Sequence, residues 1–300
     1  MIRTINEKLD YSKVWENTVA ALCQYLEQYD LKTMVLGISG GIDSTVVAAI
    51  GCEVYKRTGR PLIGLSLMSS TNQDDEIDAA SMVGVEFCTE FYKKYINDNY
   101  ENVLMKCKDI NPERTSIADG NIKARLRMIM LYDTASIRRG IVLDTDQLSE
   151  HLTGFWTIKG DESDLDVIGG LWKHEVYEFA VWIRDNIYPG SKSLDMSIAL
   201  IPTDGNGVAA GGDMGQIAPG HTYNDVDDIL STYVEYVGKH TEEYQISLSE
   251  LYEKYGQDTV DRVIRRHRNS QFKRCHRPLI IDPVSGEILQ NNWMKLSEII

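Results

Sequence analysis

Apolar residues along the first half of the chain alternate between short continuous runs and helical spacing. Residues 11–28 place apolar side chains at the spacing of one helical face, which predicts a helix with one buried side. Apolar runs at 33–38 and 62–67 predict two buried strands. Residues 43–55 and 73–92 have helical patterns, the first of them rich in Ala and Val. This order of strand, helix and strand indicates a parallel sheet with crossover helices.

The second half continues with more helices and one more strand. Residues 117–138 predict a long helix, and 140–143 predict a buried strand that ends at Asp144. Residues 202–222 are rich in Gly, Asp and Pro, which predicts a long loop of the kind that is mobile or functional. Further helical patterns are found at 172–187, 226–240, 247–255 and 257–272. The sequence has no internal repeat or low-complexity linker, so we expect one main domain, residues 1–275, and a C-terminal extension, residues 276–300.

Composition and charge restrict the class of protein. The chain has 300 residues and a formal net charge of −14, and polyanion binding generally needs a basic face, so no nucleic-acid partner is expected. The N-terminus lacks the apolar region of a signal peptide, and no apolar run is long enough to span a membrane. The five cysteines are scattered and form no CxxC pair. This indicates reduced thiols, and we expect a cytoplasmic protein without a membrane partner.

The loop Ser39–Ser44, between the first predicted strand and its helix, carries candidate chemistry. Gly40 and Gly41 allow the backbone to approach a phosphate, and the N–H groups of the loop and the helix N-terminus attract an anion. Asp43 would repel phosphate by itself, but a carboxylate here can hold Mg²⁺, which bridges phosphate oxygens. The purely structural alternative is a tight turn between strand and helix with a Ser or Asp helix cap.

The string Ser-Gly-Gly-Ile-Asp-Ser at 39–44 resembles the SGGxDS signature of the N-type ATP pyrophosphatases. It is neither a Walker A motif nor a dinucleotide GxGxxG. The resemblance implies an α/β fold of the adenine nucleotide α-hydrolase-like, Rossmann type, with an open, mostly parallel sheet and helices on both faces. It also implies that ATP is cleaved between the α and β phosphates. The superfamily includes NAD, GMP and argininosuccinate synthetases and tRNA-modifying enzymes, so the loop alone leaves the acceptor open.

Several further strings resemble those of the NAD synthetases. Residues 120–128 are similar to a GNxKARxRM helix, 145–157 to a GTDHAAE-x-x-TGFFT segment, and 223–230 to a YDxIDDxL helix. Shorter elements match at Gly160-Asp161, Leu171–Lys173 and Pro202-Thr203, and residues 71–76 resemble the family's adenine-side loop. The matches run in order from about residue 10 to about residue 275.

The resemblance implies roles for individual residues. Asp43 and Glu150 would bind Mg²⁺, and Asp43 and Lys173 would be catalytic residues. The implied ATP-binding residues are Gly37, Ile38, Ser39, Gly40, Gly41, Ile42, Asp43, Ser44, Thr145, Lys173 and Thr203. The implied residues for deamido-NAD are Arg125, Lys159, Asp164, Phe272 and Lys273. The alternatives are a surface carboxylate for Glu150 and solvated helix charges for Arg125 and for the basic run that includes Lys273.

The chain also departs from the family pattern. Phe272 stands where the family has a His before its C-terminal Lys, and Gln147 stands where it has a His after Thr-Asp. Asp144 replaces a Gly, and Ile158 replaces a Lys that is followed here by Lys159. Phe272 cannot donate the hydrogen bond that a His gives, so the dinucleotide end of the site is altered.

The activity that this resemblance implies is amidation of deamido-NAD to NAD through an acyl-adenylate, with release of AMP and pyrophosphate. Only about 30 residues precede the first predicted strand, which leaves no room for a glutamine amidase domain, so free ammonia is the expected nitrogen donor. Family resemblance also implies a homodimer, and helix 117–138 could supply its interface or could serve ordinary core packing. The alternatives are an N-type ATP pyrophosphatase with another acceptor, such as a tRNA base or a GMP synthetase substrate, and a non-catalytic nucleotide-binding relative.

Overall fold

The computed structural model describes residues 5, 8–201, 212–236, 242–274 and 279–289. The strands are β1 (Thr33–Gly37), β2 (Leu62–Met68), β3 (Glu90–Tyr95), β4 (Gly140–Asp144), β5 (Leu165–Asp166), β6 (Leu279–Ile281) and β7 (Ile288–Leu289). The helices are α1 (Tyr11–Gln28), α2 (Ile42–Thr58), α3 (Asp74–Phe87), α4 (Asn97–Ile110), α5 (Ser116–Arg138), α6 (Leu148–Thr153), α7 (Lys173–Asn186), α8 (Lys192–Ala199), α9 (Gly212–Ile217), α10 (Tyr223–Tyr236), α11 (Glu242–Tyr255), α12 (Gln257–Asn269) and α13 (Gln271–Arg274).

The seven strands form one sheet in the order β3-β2-β1-β4-β5-β6-β7. Strands β1 to β6 pair in parallel, and β7 pairs antiparallel with β6. At the centre, Val35 is paired with Ile63 of β2 on one side and with Val142 of β4 on the other. The strand order reverses at β1, because the chain moves outward to β3 and then returns to β4. Open α/β sheets bind ligands in the crevice at such a reversal, beyond the carboxyl ends of the strands.

Helices cover both faces of the sheet, which explains why its central strands read as continuous apolar runs. Met34 and Leu36 of β1 belong to the core that includes α1, α2 and α7. Val35, whose side chain points to the opposite face, packs in a core with Val142 and with Leu131 of α5. A third apolar cluster joins α6 to α10 and α12. The predicted α/β class, with a mostly parallel sheet and helices on both faces, is confirmed.

Some predicted boundaries are wrong. The single helix predicted over 73–92 ends at Phe87, and Glu90–Tyr95 forms β3. β3 is an edge strand, and its last four residues are exposed, so no buried apolar run marks it in the sequence. The loop predicted over 202–222 contains helix α9 in its described part, and the helix predicted from residue 226 begins at Tyr223.

The segment predicted as a C-terminal extension contributes to the same sheet. Residues 279–281 and 288–289 form β6 and β7, and β6 pairs in parallel with β5. The domain boundary at residue 275 stays a prediction. Within the described part of the chain, no helix is long and apolar enough to cross a membrane.

Candidate functional site

A cavity of about 570 Å³ lies at the point where the strand order reverses. Its walls include Gly37 at the end of β1, Met68 at the end of β2 and Thr145 directly after β4. The carboxyl ends of three neighbouring strands therefore open into one space. The loop that follows β1 supplies Ile38, Ser39, Gly41, Ile42 and Asp43 to the same walls.

Hydroxyl groups hold the loop in its shape. The Ser39 hydroxyl accepts a hydrogen bond from the Gly41 N–H at 3.2 Å, and it lies 3.0 Å from the Ser44 hydroxyl. The Ser44 hydroxyl also donates to the Gly41 carbonyl at 3.1 Å. Ser44 is only 2% exposed, so its hydroxyl braces the loop from behind. Of the two serines, Ser39 is the one that faces the cavity.

Gly40 is required by the way the loop packs on α3. Its φ of +87° is left-handed, and an added Cβ would lie 2.6 Å from the Ala80 nitrogen and 2.7 Å from the Glu76 oxygen. Its carbonyl accepts a hydrogen bond from the Ser197 hydroxyl at 3.0 Å. These contacts fix the loop from two sides and leave its inner edge open to the cavity.

The N-terminus of α2 points its first turn into the cavity. The N-cap residue is Gly41, which provides no side chain to cap the first N–H groups. Gly41, Ile42 and Asp43 all line the cavity. Backbone N–H groups at a helix N-terminus bind anions, so this end of the cavity suits a phosphate group.

Lys173 and Asp43 form an ion pair in the cavity wall. The Lys173 ammonium group donates to Asp43 Oδ2, and the two side chains are 2% and 18% exposed. The other carboxylate oxygen, Oδ1, is buried and has no hydrogen-bond partner within the described residues. The Lys173 ammonium group also lies 5.2 Å from the centre of the Tyr223 ring. Asp43 therefore keeps one oxygen available to a cation, while Lys173 balances its charge.

Asp227 of α10 supports the start of α7, where Lys173 lies. Asp227 is fully buried, and its Oδ2 accepts from the backbone N–H of His174 at 3.1 Å and from its ring Nδ1 at 2.9 Å. Its Oδ1 accepts from the Ser149 hydroxyl, which in turn accepts from the Lys173 N–H at 3.0 Å. Burial lowers the pKa of His174, but the hydrogen bond to Asp227 and the negative charges of Asp227, Glu175 and Glu178 together outweigh burial and raise this pKa. One carboxylate thus caps α7 from another helix.

Glu150 lines the same cavity from α6. Its carboxylate accepts from the Gln147 N–H at 3.2 Å, while the Gln147 side chain accepts from the Ser149 N–H at 2.6 Å. Gln147, one of the departures from the family pattern, therefore serves as the N-cap of α6. This cap fixes the backbone from which Glu150 projects.

The carboxylates of this cavity suit Mg²⁺ that is shared with a substrate better than a metal ion whose ligands all come from the protein. Within the described residues, no group of three or more His, Cys, Asp or Glu side chains could hold a metal ion. Asp43 and Glu150 supply carboxylate oxygens to one cavity, and Oδ1 of Asp43 is unpartnered there. Mg²⁺ is usually held by one or two carboxylates together with substrate phosphates and water.

Three of the residues expected to hold the acceptor lie outside the walls of this cavity. Arg125 is exposed and donates to the Ile158 carbonyl at 3.1 Å, and Asp164 accepts from the Tyr132 hydroxyl at 3.0 Å. The Lys159 side chain is 70% exposed, and the residue has a left-handed φ of 57°. Thr203 lies outside the described residues. The acceptor roles of these residues stay predictions.

Arg127 and Asp161 are among the polar residues of the cavity that were given no role from the sequence. Arg127 lines it and donates to the Leu67 carbonyl at 2.9 Å. Asp161 lines it and accepts from the Thr157 N–H at 2.6 Å. Both belong to strings that carry the family resemblance, at 120–128 and Gly160-Asp161, so membership in those strings was the available signal.

A second cavity of about 420 Å³ contains the remaining two expected acceptor residues, Phe272 and Lys273. The Lys273 ammonium group donates to the Gly154 carbonyl at 2.7 Å and to the Trp156 carbonyl. Burial, and secondarily the charge of Arg266, lower the pKa of Lys273. We call this second cavity the basic cleft, because Arg262, Arg265 and Arg266 also line it.

The chain is similar to curated proteins of known description. The chain is 29% identical over 256 residues to the NH(3)-dependent NAD(+) synthetase of Wolinella succinogenes, covering 84% of this chain and 89% of that protein. It is 28% identical over 286 residues to the protein of the same description from Sulfurisphaera tokodaii, covering 95% of this chain and 94% of the relative.

Solved structures show the same fold. NMN synthetase from Francisella tularensis superposes with a TM-score of 0.69 at 26% identity, covering 89% of this chain and 96% of that one. A glutamine-dependent NAD(+) synthetase from Cytophaga hutchinsonii gives a TM-score of 0.71 at 16% identity, covering 94% of this chain and 54% of that one. At that identity, the second likeness shows the fold alone.

A family model covers most of the sequence. The model described as NAD synthase matches residues 14–277, which include the loop after β1, the Asp43–Lys173 pair and the basic cleft. The match confirms the predicted ligase class. It does not favour the alternatives, which were an enzyme with a tRNA base as its acceptor and a non-catalytic nucleotide-binding protein. On this evidence, the chain belongs to the NAD synthase family.

Proposed function

We propose that the chain catalyses the ATP-dependent amidation of deamido-NAD to NAD with ammonia as the nitrogen donor. The observation that carries the proposal is the convergence of the loop after β1, Glu150 and Lys173 on one cavity at the strand-order reversal. The relatives described as NH(3)-dependent NAD(+) synthetases support the same acceptor and donor.

The reaction has two steps. An oxygen of the nicotinate carboxylate attacks the α-phosphorus of ATP, the bond to the β-phosphate oxygen breaks, and pyrophosphate leaves. Ammonia then attacks the carbonyl carbon of the acyl-adenylate, AMP leaves, and the nitrogen loses a proton to give the amide. Neither step needs a nucleophilic side chain, so the protein acts mainly by positioning and by balancing charge.

The first step depends on residues that neutralise the phosphates. The N-terminus of α2 and the loop N–H groups would hold phosphate oxygens, and the compact ammonium group of Lys173 would place a positive charge beside the polyphosphate. Asp43 and Glu150 would hold Mg²⁺, which supplies charge neutralisation on ATP when bound. Ser39 and Thr145 line the same cavity and can donate hydroxyl hydrogen bonds.

A second acceptor, nicotinate mononucleotide, is favoured by one observation. The Francisella tularensis structure with 26% identity is described as an NMN synthetase. Amidation that yields NMN requires the corresponding acid as acceptor. Both candidates carry the same nicotinate carboxylate and differ only in the adenylate half, so the chemistry at the ATP cavity is the same.

Product analysis separates these candidates. The purified chain is incubated with ATP, Mg²⁺ and ammonium together with either deamido-NAD or nicotinate mononucleotide, and NAD, NMN, AMP and pyrophosphate are measured by chromatography. NAD formation with equal AMP supports the first proposal, and NMN formation supports the second. If neither amide forms with either acceptor, the proposed function is wrong. Parallel reactions with glutamine instead of ammonium test the nitrogen donor, and reactions with EDTA test the need for Mg²⁺.

We also propose that the chain forms a homodimer through α4 and α5. No residue of α4 is buried in the described chain, although its side chains include Met105 and Ile110, which are 57% and 78% exposed. Ile117 and Ile129 of α5 are 58% and 57% exposed. Light scattering after size exclusion should give the mass of a dimer, and Ile129→Glu should shift it toward the monomer. A wild-type monomer at micromolar concentration would contradict the proposal.

We further propose that the protein is located in the cytoplasm. The described cysteines Cys23, Cys52, Cys88 and Cys107 are free thiols, as is usual in a reducing compartment. Recovery of the expressed chain in a membrane or secreted fraction would contradict it.

A further inference from the structure

The basic cleft is lined by cations without a balancing carboxylate. Four of its ten lining residues are Arg or Lys, and none is Asp or Glu. This composition is unusual for a chain whose formal net charge is −14. A concave surface with one sign of charge concentrates ions of the opposite sign, so the cleft attracts anions.

Three of the cations come from one face of α12. Arg262, Arg265 and Arg266 have the spacing i, i+3 and i+4, which places side chains on the same side of a helix. Arg262 donates to the Gln216 carbonyl at 3.1 Å, and Arg266 donates to the Thr153 carbonyl at 3.0 Å. Each of these bonds uses one of the five N–H donors of a guanidinium group.

An ordinary solvated helix face would pair these arginines with the acids one turn earlier. Asp258 lies four residues before Arg262, and Asp261 lies four residues before Arg265. In the described part of the chain, neither aspartate forms an ion pair with the arginine that follows it. Asp261 instead accepts a hydrogen bond from the Tyr252 hydroxyl at 2.9 Å. The pKa of Arg266 is lowered, first by burial and then by the neighbouring charge of Arg262. The cations therefore repel one another, which a bound anion would relieve.

We propose that Arg262 and Arg265 bind a phosphate group of the acceptor nucleotide in the basic cleft. This inference rests on the proposed function, because it names a subsite of the same reaction. We assign a phosphate ester as the ligand, because clustered arginines bind phosphate oxygens through paired N–H donors. Phe272, which is 61% exposed on the same cleft, offers an aromatic face to the ring of a nucleotide.

The position of the cleft favours the acceptor over ATP. The loop after β1 and the Asp43–Lys173 pair line the other cavity, where the ATP phosphates are proposed to bind. Helix α6 connects the two spaces, because Glu150 lines the ATP cavity and Thr153 lines the basic cleft one turn later. A second nucleotide in the cleft would thus lie about one helical turn along α6 from Glu150.

Steady-state kinetics of the double variant Arg262→Gln/Arg265→Gln tests the proposal. Both side chains are exposed, so the variant should keep the wild-type thermal midpoint. The KM for the acceptor should rise about 10- to 100-fold, because charge-assisted contacts to a phosphate are lost. The KM for ATP should stay within about twofold, and Arg262→Lys/Arg265→Lys should recover part of the affinity because it restores the charge but not the paired donors.

Arg268→Gln is the matched control, because it removes one arginine from α12 at a side chain that donates to the Tyr233 hydroxyl at 2.8 Å, away from the cleft. It should leave both KM values unchanged. An unchanged acceptor KM in the double variant, or a rise in the KM for ATP alone, would overturn the proposal. If wild type forms no amide with either nicotinate acceptor, the proposed function fails instead, and the two failures are therefore distinguishable.

Discussion

The ammonium group of Lys173 lies against the carboxylate of Asp43, although 130 residues separate them in the sequence. Asp43 lies in the first turn of α2, and Lys173 is the first residue of α7. The pair therefore joins the N-termini of two helices at one cavity wall. Because the second oxygen of Asp43 has no described partner, the pair presents both a cation and a free carboxylate oxygen to the same ligand.

Asp43→Asn should abolish pyrophosphate release, with a loss in kcat of at least about 100-fold. The amide keeps the shape of the side chain but removes the charge that holds a divalent cation, and such charge stabilisation commonly contributes this much. Release of pyrophosphate is followed with a coupled assay at saturating Mg²⁺. Circular dichroism should match wild type. A variant that retains more than about a third of the activity would show that Asp43 is not a metal ligand.

Lys173→Met should lower kcat and leave Asp43 without its cation. Removing one partner of a largely buried ion pair generally costs stability, so the thermal midpoint should fall as well. Lys173→Arg keeps the charge and should retain the fold with reduced activity, because a planar guanidinium cannot replace the compact ammonium in a 2% exposed position. If Lys173→Met keeps wild-type kcat with only a lower midpoint, Lys173 has a structural role only.

Gly40→Ala should destabilise the fold by about 2 to 4 kcal/mol, because a left-handed φ and a close backbone contact are both costly for a Cβ. Gly59→Ala is the matched control, since its φ of +72° is similar but an added Cβ would meet nothing within 4 Å. The control should lose only about 1 kcal/mol, the cost of the left-handed conformation alone. Urea unfolding measures both. Equal losses in the two variants would show that packing of the loop on α3 is unimportant.

The phosphate loop and the core strands could be predicted from sequence because their signals are local. Continuous apolar runs mark β1, β2 and β4, and the two glycines with Asp43 mark the loop. The edge strand β3 could not be predicted in this way, because its exposed side chains give no apolar run. The pairing of Asp43 with Lys173, the remote cap provided by Asp227 and the basic cleft depend on which distant helices meet, and no local pattern contains that information.

Asp227→Asn tests whether the remote cap positions Lys173. The carboxylate accepts three hydrogen bonds at the starts of α6 and α7, and an amide can accept only at its oxygen. We expect a fall in kcat of about 10-fold with little change in the KM for the acceptor, since misplacement of a charged group mainly weakens transition-state contacts. The pH profile of the thermal midpoint should also lose the contribution of His174. A variant with a lower midpoint but an unchanged kcat would show that Asp227 is structural only.

His267 should make the fold sensitive to mild acid. Burial and the charge of Arg274 lower its pKa to about 3, and its ring Nδ1 donates to the Leu152 carbonyl at 2.8 Å. In the unfolded chain the His267 ring binds a proton near its ordinary pKa of about 6.5, whereas in the folded chain it stays neutral down to a much lower pH. The contribution of the neutral ring to the free energy of unfolding is therefore complete above about pH 6.5. On acidification this contribution falls by about 1.4 kcal/mol per pH unit between roughly pH 6.5 and 3. Urea unfolding at pH 7 and pH 5 measures the free energies of unfolding of wild type and His267→Gln. The difference between the two proteins should be about 2 kcal/mol smaller at pH 5 than at pH 7. His174→Gln gives the opposite sign, because the raised pKa of His174 stabilises the fold at low pH and this contribution disappears as the pH rises through the folded value. If the difference between wild type and His267→Gln does not change with pH, His267 has the same pKa in the folded and unfolded chains, and the assignment of a buried neutral ring is wrong.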